Sequence, residues 1–130
     1  MIVVDASALL ESLLRTPAAE AVDARLFATG ETLHAPHLID VETAQVIRRY
    51  AAAGEIDAER GRAALQDLND FPLRRYPHDL LLPRIWELLN DLTAYDAAYV
   101  ALAEALGAPL LTCDRRIAGA AGHRARIDLA

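Results

Sequence analysis

At 130 residues the chain is long enough to bury one core and too short for two ordinary domains, so residues 1–130 are expected to form a single domain. An apolar content of 54% excludes global disorder, and the lone cysteine, Cys113, excludes an internal disulfide framework or a multi-cysteine metal site. The net charge of −6 argues against a simple nucleic-acid coat protein, and the absence of lysine removes every reaction class that needs a lysine base, a Schiff-base lysine or a P-loop lysine.

The first residues, MIVVDASALLESLL, have no basic leader and carry Asp5 and Glu11 inside the apolar stretch, unlike a secretory signal. No stretch has the uninterrupted apolar length of a membrane span. The expectation is a soluble protein of a reducing compartment, the cytoplasm.

Residues 2–4 form a short β-branched run ending in a carboxylate and predict a buried strand. A helix is predicted over 6–15, and Pro17 is expected to open another through about residue 29, stopped by Gly30. A second strand is expected over 32–35, then a helix over 38–53 ended by Gly54. Asp57 is the expected cap of a helix reaching about residue 70, and residues 72–76, bounded by prolines, predict an edge strand. Residues 82–90 predict a helix with Pro83 in its first turn, and 93–106 a stronger one stopped by Gly107. Strand 110–112, short helix 115–119 and a last strand over 127–129 complete the chain. Strands alternating with helices imply parallel pairing through right-handed crossovers.

In such sheets sites form beyond the carboxyl ends of strands, near a topological switch point. Two predicted strand ends carry acids, VVD at Asp5 and LLTCD at Asp114, and neighbouring strands would bring the two carboxylates together. Helix N-capping is an equally good reading of each acid taken alone. The segments mirror each other, Asp5-Ala6-Ser7 against Thr112-Cys113-Asp114, so each acid has a hydroxyl two residues away, suited to holding a carboxylate or a bound water.

Asp96 lies in TAYDAAYVALA, apolar on nearly every face, so its helix should be mostly buried. A buried, unpaired carboxylate is unfavourable, and cation coordination removes the penalty. A capping box with Thr93 is the alternative, and the two are compatible. In HLIDVETAQVIRRY, Glu42 shares a helix face with Leu38, Ile39 and Val46, a poor place for a free carboxylate. Asp40 points the other way and reads as a first-turn acid favoured by the helix dipole, with a ligand role in reserve. Carboxylates without a histidine or cysteine cluster suit Mg²⁺ or Mn²⁺, which prefer oxygen.

The segments VVDAS, PHLIDVE, LTAYDAAYVALAEALG and LLTCDRR occur in this order across nearly the whole chain. Together they resemble the PIN-domain family, and the last two resemble its VapC toxins. The resemblance implies a three-layer α/β/α sandwich on a central, mainly parallel sheet, with Asp5, Glu42, Asp96 and Asp114 as a metal-binding acidic quartet. It implies an endoribonuclease that hydrolyses RNA with Mg²⁺, Mn²⁺ being a possible substitute, and that acts as the toxin of a toxin–antitoxin pair. A VapB-type antitoxin and a homodimer are the implied partners. Ser7 and Thr112 fall where the family often places a supporting hydroxyl, and Asp91 stands where a neutral or basic residue is expected.

Arg48, Arg49, Arg115 and Arg116 lie close in sequence to the acids and are candidates for phosphate contacts, with solvated surface arginine as the alternative. His34, His37, His78 and His123 show no helical i, i+4 pair, which disfavours zinc. Cys113 is read as a packing residue, and so are Tyr95 and Tyr99, although either tyrosine could stack on a base. Haloacid-dehalogenase-type phosphatases and receiver domains also begin with a strand ending in aspartate, but both rely on a lysine that this chain lacks. A PIN-fold binding module without catalysis is the non-enzyme alternative; the presence of all four acids tells against it, and a metal-dependent cleavage assay separates the two.

Overall fold

The computed structural model describes all residues from Met1 to Ala130. Five strands, β1 (Ile2–Val4), β2 (Leu33–Pro36), β3 (Leu73–Tyr76), β4 (Leu110–Thr112) and β5 (Ile127–Leu129), form one sheet in the order β3-β2-β1-β4-β5. Every pairing is parallel, so the mainly parallel expectation becomes an all-parallel sheet. The helices are α1 (Ala6–Leu13), α2 (Ala19–Leu26), α3 (Leu38–Ala52), α4 (Ala58–Asp70), α5 (Leu82–Glu87), α6 (Ala94–Leu106) and α7 (Arg115–Ala118). The chain steps from β1 outward through β2 to β3, then returns across the sheet to β4 and β5. Right-handed crossovers therefore put α1 to α4 on one face and α5 to α7 on the other, giving three layers. The reversal falls between β1 and β4.

The core follows from the sequence pattern. Ile2, Val3 and Val4 are fully buried because β1 is the central strand, covered on both faces. Each such aliphatic side chain contributes about 1.5–3 kcal/mol relative to exposure. In α6 every residue from 97 to 103 is buried, and the helix contacts β1, β2 and β4. Arg84 of α5 donates to both oxygens of Glu104 on α6 and to the Gly122 carbonyl, tying this layer to the C-terminal segment.

Three helices end two or more residues before the expectation. Helix α1 stops at Leu13, two residues early, because Arg15 takes the left-handed conformation (φ 53°) and turns the chain. Helix α2 begins at Ala19, with Pro17 in the preceding turn, and it is finished at Leu26. Helix α5 ends at Glu87, preceded by a 3-10 turn over Asp79–Leu81. Asn90 and Asp91, which favour turns over helix interiors, fall in the irregular stretch that follows. Gly107, left-handed at φ 62°, closes α6 as its position predicts.

Candidate active site

The register Val3↔Leu110 and Val4↔Leu111 makes β1 and β4 neighbours, so their carboxyl ends lie side by side at the reversal point. Asp5 leaves β1 in extended conformation and caps α1, accepting from the Ala8 N–H at 3.0 Å. It is only 3% exposed. The Ser7 hydroxyl donates to its Oδ1 at 2.6 Å and the Thr112 hydroxyl to its Oδ2 at 2.5 Å. Each hydroxyl in turn accepts a backbone N–H from the β4 end, Ser7 Oγ from Cys113 and Thr112 Oγ1 from Asp114, both at 2.9 Å. Both hydroxyl protons are directed at Asp5, so its carboxylate organises two strand ends at once.

Asp114 caps α7 through the Arg116 N–H at 2.8 Å. The Arg116 side chain also grips both of its oxygens, Nε to Oδ1 at 3.1 Å and Nη2 to Oδ2 at 2.7 Å. Capping and cleft-facing positions thus coincide for both strand-end acids. At Asp96 only half of the capping box forms: its N–H donates to Thr93 Oγ1 at 3.2 Å, and its carboxylate makes no return bond. Glu42, half-buried on α3, accepts one bond, from the Tyr99 hydroxyl to Oε1 at 3.0 Å.

Asp5, Ser7, Glu42, Asp96 and Asp114 line one cleft of about 370 Å³, together with Glu11, Arg49 and Arg116. Asp40 does not. It lies by a different cleft with His37, Leu65 and Leu68, held through both oxygens by Arg75 Nε. Arg48 and Arg115 are exposed and do not line the acidic cleft. A helix wheel explains the division on α3, since Arg49 is two turns from Glu42 and Arg48 falls off that face. Asp91 lies outside the cleft, its carboxylate against Gly122. Glu11 is the acid that sequence reading passed over, although its spacing from Ser7 puts both on one face of α1.

Burial raises the proton affinity of three of these acids. Asp5 is pushed up by desolvation, opposed by the Ser7, Thr112 and Ala8 hydrogen bonds. Glu42 is pushed up by burial, with Tyr99 opposing and the charges of Asp96 and Asp5 adding to the rise. Asp96 is raised by burial first, with the Thr93 hydroxyl opposing and the Asp114 charge adding more weakly. Asp114 goes the other way, held down by its hydrogen bonds to Arg116. Carboxyls pushed up by burial and mutual repulsion around one open cleft form a negative, oxygen-rich site. Cys113, half-buried, has its thiol raised to about 11 by desolvation, so it stays protonated and is not a nucleophile. His78 Nε2 accepts from the Leu38 N–H at the start of α3, and His34 bonds Thr32 and Tyr76; neither lines the cleft.

No three histidine, cysteine, aspartate or glutamate side chains form a closed set that could hold a metal ion as they stand. An open cleft ringed by carboxylates nonetheless fits a cation such as Mg²⁺, which keeps several waters and takes one or two protein carboxylates. Asp5 Oδ2, Glu42 Oε2 and the Asp96 carboxylate could contribute oxygens, and Asp114 could do so once Arg116 moves aside. No helix is long and apolar enough to cross a membrane.

The PIN domain family model matches residues 2–122. Ribonuclease VapC12 of Mycobacterium tuberculosis is 45% identical over 129 residues, covering 99% of this chain and 98% of the relative. VapC ribonuclease Mb0985 of Mycobacterium bovis is 48% identical over 117 residues, 90% of this chain and 88% of the relative. Among solved structures, PAE2754 from Pyrobaculum aerophilum superposes with a TM-score of 0.71 at 29% identity, covering 99% of this chain and 83% of that one. A relative nearly half identical from end to end, on a fold whose strand ends gather acids as the motifs imply, leaves one conclusion: the chain belongs to the PIN-domain family, among its VapC ribonucleases.

Proposed function

We propose that this chain is an endoribonuclease that cuts RNA at the acidic cleft and serves as the toxin of a toxin–antitoxin pair. One observation carries the reading. Asp5 and Asp114, 109 positions apart, meet at adjacent strand ends in a cleft that Glu42 and Asp96 also line. In this reading the four acids hold the divalent cation, Mg²⁺ with Mn²⁺ as substitute, and the domain fills residues 1–130.

When bound, the cation supplies an acidified water and offsets charge developing on the phosphate oxygens. The remaining steps belong to the protein. Ser7 and Thr112 orient Asp5 and oppose the effect of burial on its carboxylate by donating to separate oxygens. Burial raises the proton affinity of Glu42 and Asp96, and a carboxylate oxygen of the pair not engaged by the cation would accept the proton of the attacking water. Arg49 and Arg116 flank the acids, and both contact the phosphates on either side of the cut. Releasing Asp114 frees the Arg116 guanidinium for a phosphate oxygen, so cation and substrate enter as a pair. Tyr95, 62% exposed, borders an adjoining groove of about 540 Å³ with Leu38, Val41, Gln45 and Val46, and gives a base a surface to stack on.

The partners follow from the same reading: a VapB-type antitoxin that covers the cleft, and a second copy of this chain. Leu80, Leu82, Trp86 and Leu89 are exposed along one short stretch, and Trp86 alone is 74% exposed. Aromatic anchors of this kind are typical of interface centres. The protein acts in the cytoplasm, where its RNA is.

The test incubates pure protein with total RNA and Mg²⁺ or Mn²⁺, with EDTA as control, and sequences the new RNA ends. Discrete cuts that need the cation and vanish in Asp5→Asn are expected. Cuts that persist in EDTA, or in folded Asp5→Asn, overturn the reading.

A further inference from the structure

Tyr99 is the largest fully buried side chain of the molecule, and its packing needs only a ring. A phenylalanine would fill the same volume. The hydroxyl is the part that packing leaves unexplained, and a buried hydroxyl must find an acceptor. It crosses from α6 to α3 and donates to Glu42 Oε1 at 3.0 Å, a contact between residues 57 positions apart. That is the one hydrogen bond the protein gives the Glu42 side chain, and Oε2 is left without a protein donor.

We propose that Tyr99 is the positioning residue for Glu42: its hydroxyl fixes one carboxylate oxygen so that the other is presented to a divalent cation in the cleft. The proposal rests on the reading of the cleft as a cation site. Glutamate has three rotatable bonds, and α3 alone does not select the rotamer that turns inward. On an unpinned helix Glu42 would gain entropy and hydration by extending outward. Tyr99 lies three residues after Asp96, on the same face of α6. One helix therefore supplies an acid of the cleft directly and orients a second acid on a different helix. A tyrosine hydroxyl is protonated at neutral pH, so it can serve as the standing donor to Glu42 Oε1. Partners that orient a metal-binding side chain typically account for 10–100-fold in metal affinity.

The experiment is calorimetric titration with Mn²⁺ alone on wild type, Tyr99→Phe, Glu42→Gln and the double variant, with a melting curve of each in EDTA. Tyr99→Phe is expected to weaken Mn²⁺ about 10-fold or more. In the Glu42→Gln background the same change should alter affinity less than about twofold, because no carboxylate remains to be held. Wild-type affinity in Tyr99→Phe, or effects that multiply in the double variant, overturns the proposal and leaves the cleft reading intact. Absence of Mn²⁺ binding by wild type overturns the cleft reading and this proposal with it. Should Tyr99→Phe not fold, Tyr99→Leu, which also removes the hydroxyl and leaves the Glu42 carboxylate in place, replaces it: the same loss is expected, and unchanged affinity is the contrary result.

Discussion

Thr112 Oγ1 lies 2.5 Å from Asp5 Oδ2 and joins the carboxyl ends of two neighbouring strands. The same oxygen of Thr112 accepts the Asp114 N–H, so one hydroxyl sets the spacing of the two strand-end acids. A buried carboxylate at this position persists because three donors satisfy it, from Ser7, Ala8 and Thr112.

Thr112→Val keeps the shape and removes the hydroxyl. It leaves Asp5 Oδ2 and the Asp114 N–H without their partner. Leaving buried groups unpaired should lower stability by about 1–3 kcal/mol, read by urea denaturation. Cleavage should fall further than this loss explains, because Asp5 Oδ2 loses the donor that fixes its direction. Unchanged stability would show that water replaces the hydroxyl without penalty.

Glu42 and Asp40 are two residues apart and have opposite surroundings. Glu42→Gln is expected to abolish cleavage of RNA with the fold intact. Asp40→Asn should leave cleavage near wild type and reduce stability by about 1 kcal/mol, since its pair with Arg75 is partly exposed. Parallel cleavage assays and melts on the two variants give the ranking; the reverse order would transfer the ligand role to Asp40.

Much of this site is legible in the sequence. The 3.6-residue period separates Glu42 from Asp40, and the mirrored DAS and TCD segments point to the hydroxyls that now bridge β1 and β4. The buried character of 97–103 was legible in an unbroken apolar run. What local pattern could not supply is long-range pairing. Tyr99 looks like packing until α3 is placed beside it, and Arg116 looks like a free surface cation until Asp114 is seen in its grip. The early end of α1 depends on a left-handed arginine, a conformation that local preference argues against.

Arg116 and Arg48 separate a phosphate contact from a solvated arginine. In a cleavage-dead Asp5→Asn background, Arg116→Gln should weaken RNA binding and reduce the slope of log affinity against log salt by about 0.7, one phosphate contact on a single strand. Arg48→Gln should leave the slope unchanged. Fluorescence anisotropy across a salt series reads both. An unchanged slope in Arg116→Gln would confine that residue to pairing with Asp114.

The last prediction concerns pH and the cation together. Asp96 has its proton affinity raised by burial from an ordinary value of 3.8, and Asp5 and Glu42 shift the same way. An acid raised in the folded state binds more protons folded than unfolded. Its contribution to stability is fully present below the unfolded pKa and is lost as pH rises through the folded one. Asp114 has the opposite sign: held low by Arg116, it contributes above its unfolded pKa and loses that contribution as pH falls. In EDTA, then, Asp96→Asn should melt higher than wild type at neutral pH, and the gap should close as pH is lowered into the ordinary carboxylate range. The capping bond is untouched by this change, because the donor is the Asp96 backbone N–H. Added Mn²⁺ should raise the wild-type melting temperature, about 2.7 kcal/mol of stabilisation at 100 times the dissociation constant, and should raise that of Asp96→Asn less. The measurement is a melting series on both proteins across pH at constant ionic strength, with and without cation. If Asp96→Asn instead melts lower in EDTA at every pH and wild type ignores Mn²⁺, Asp96 serves α6 and not a cation.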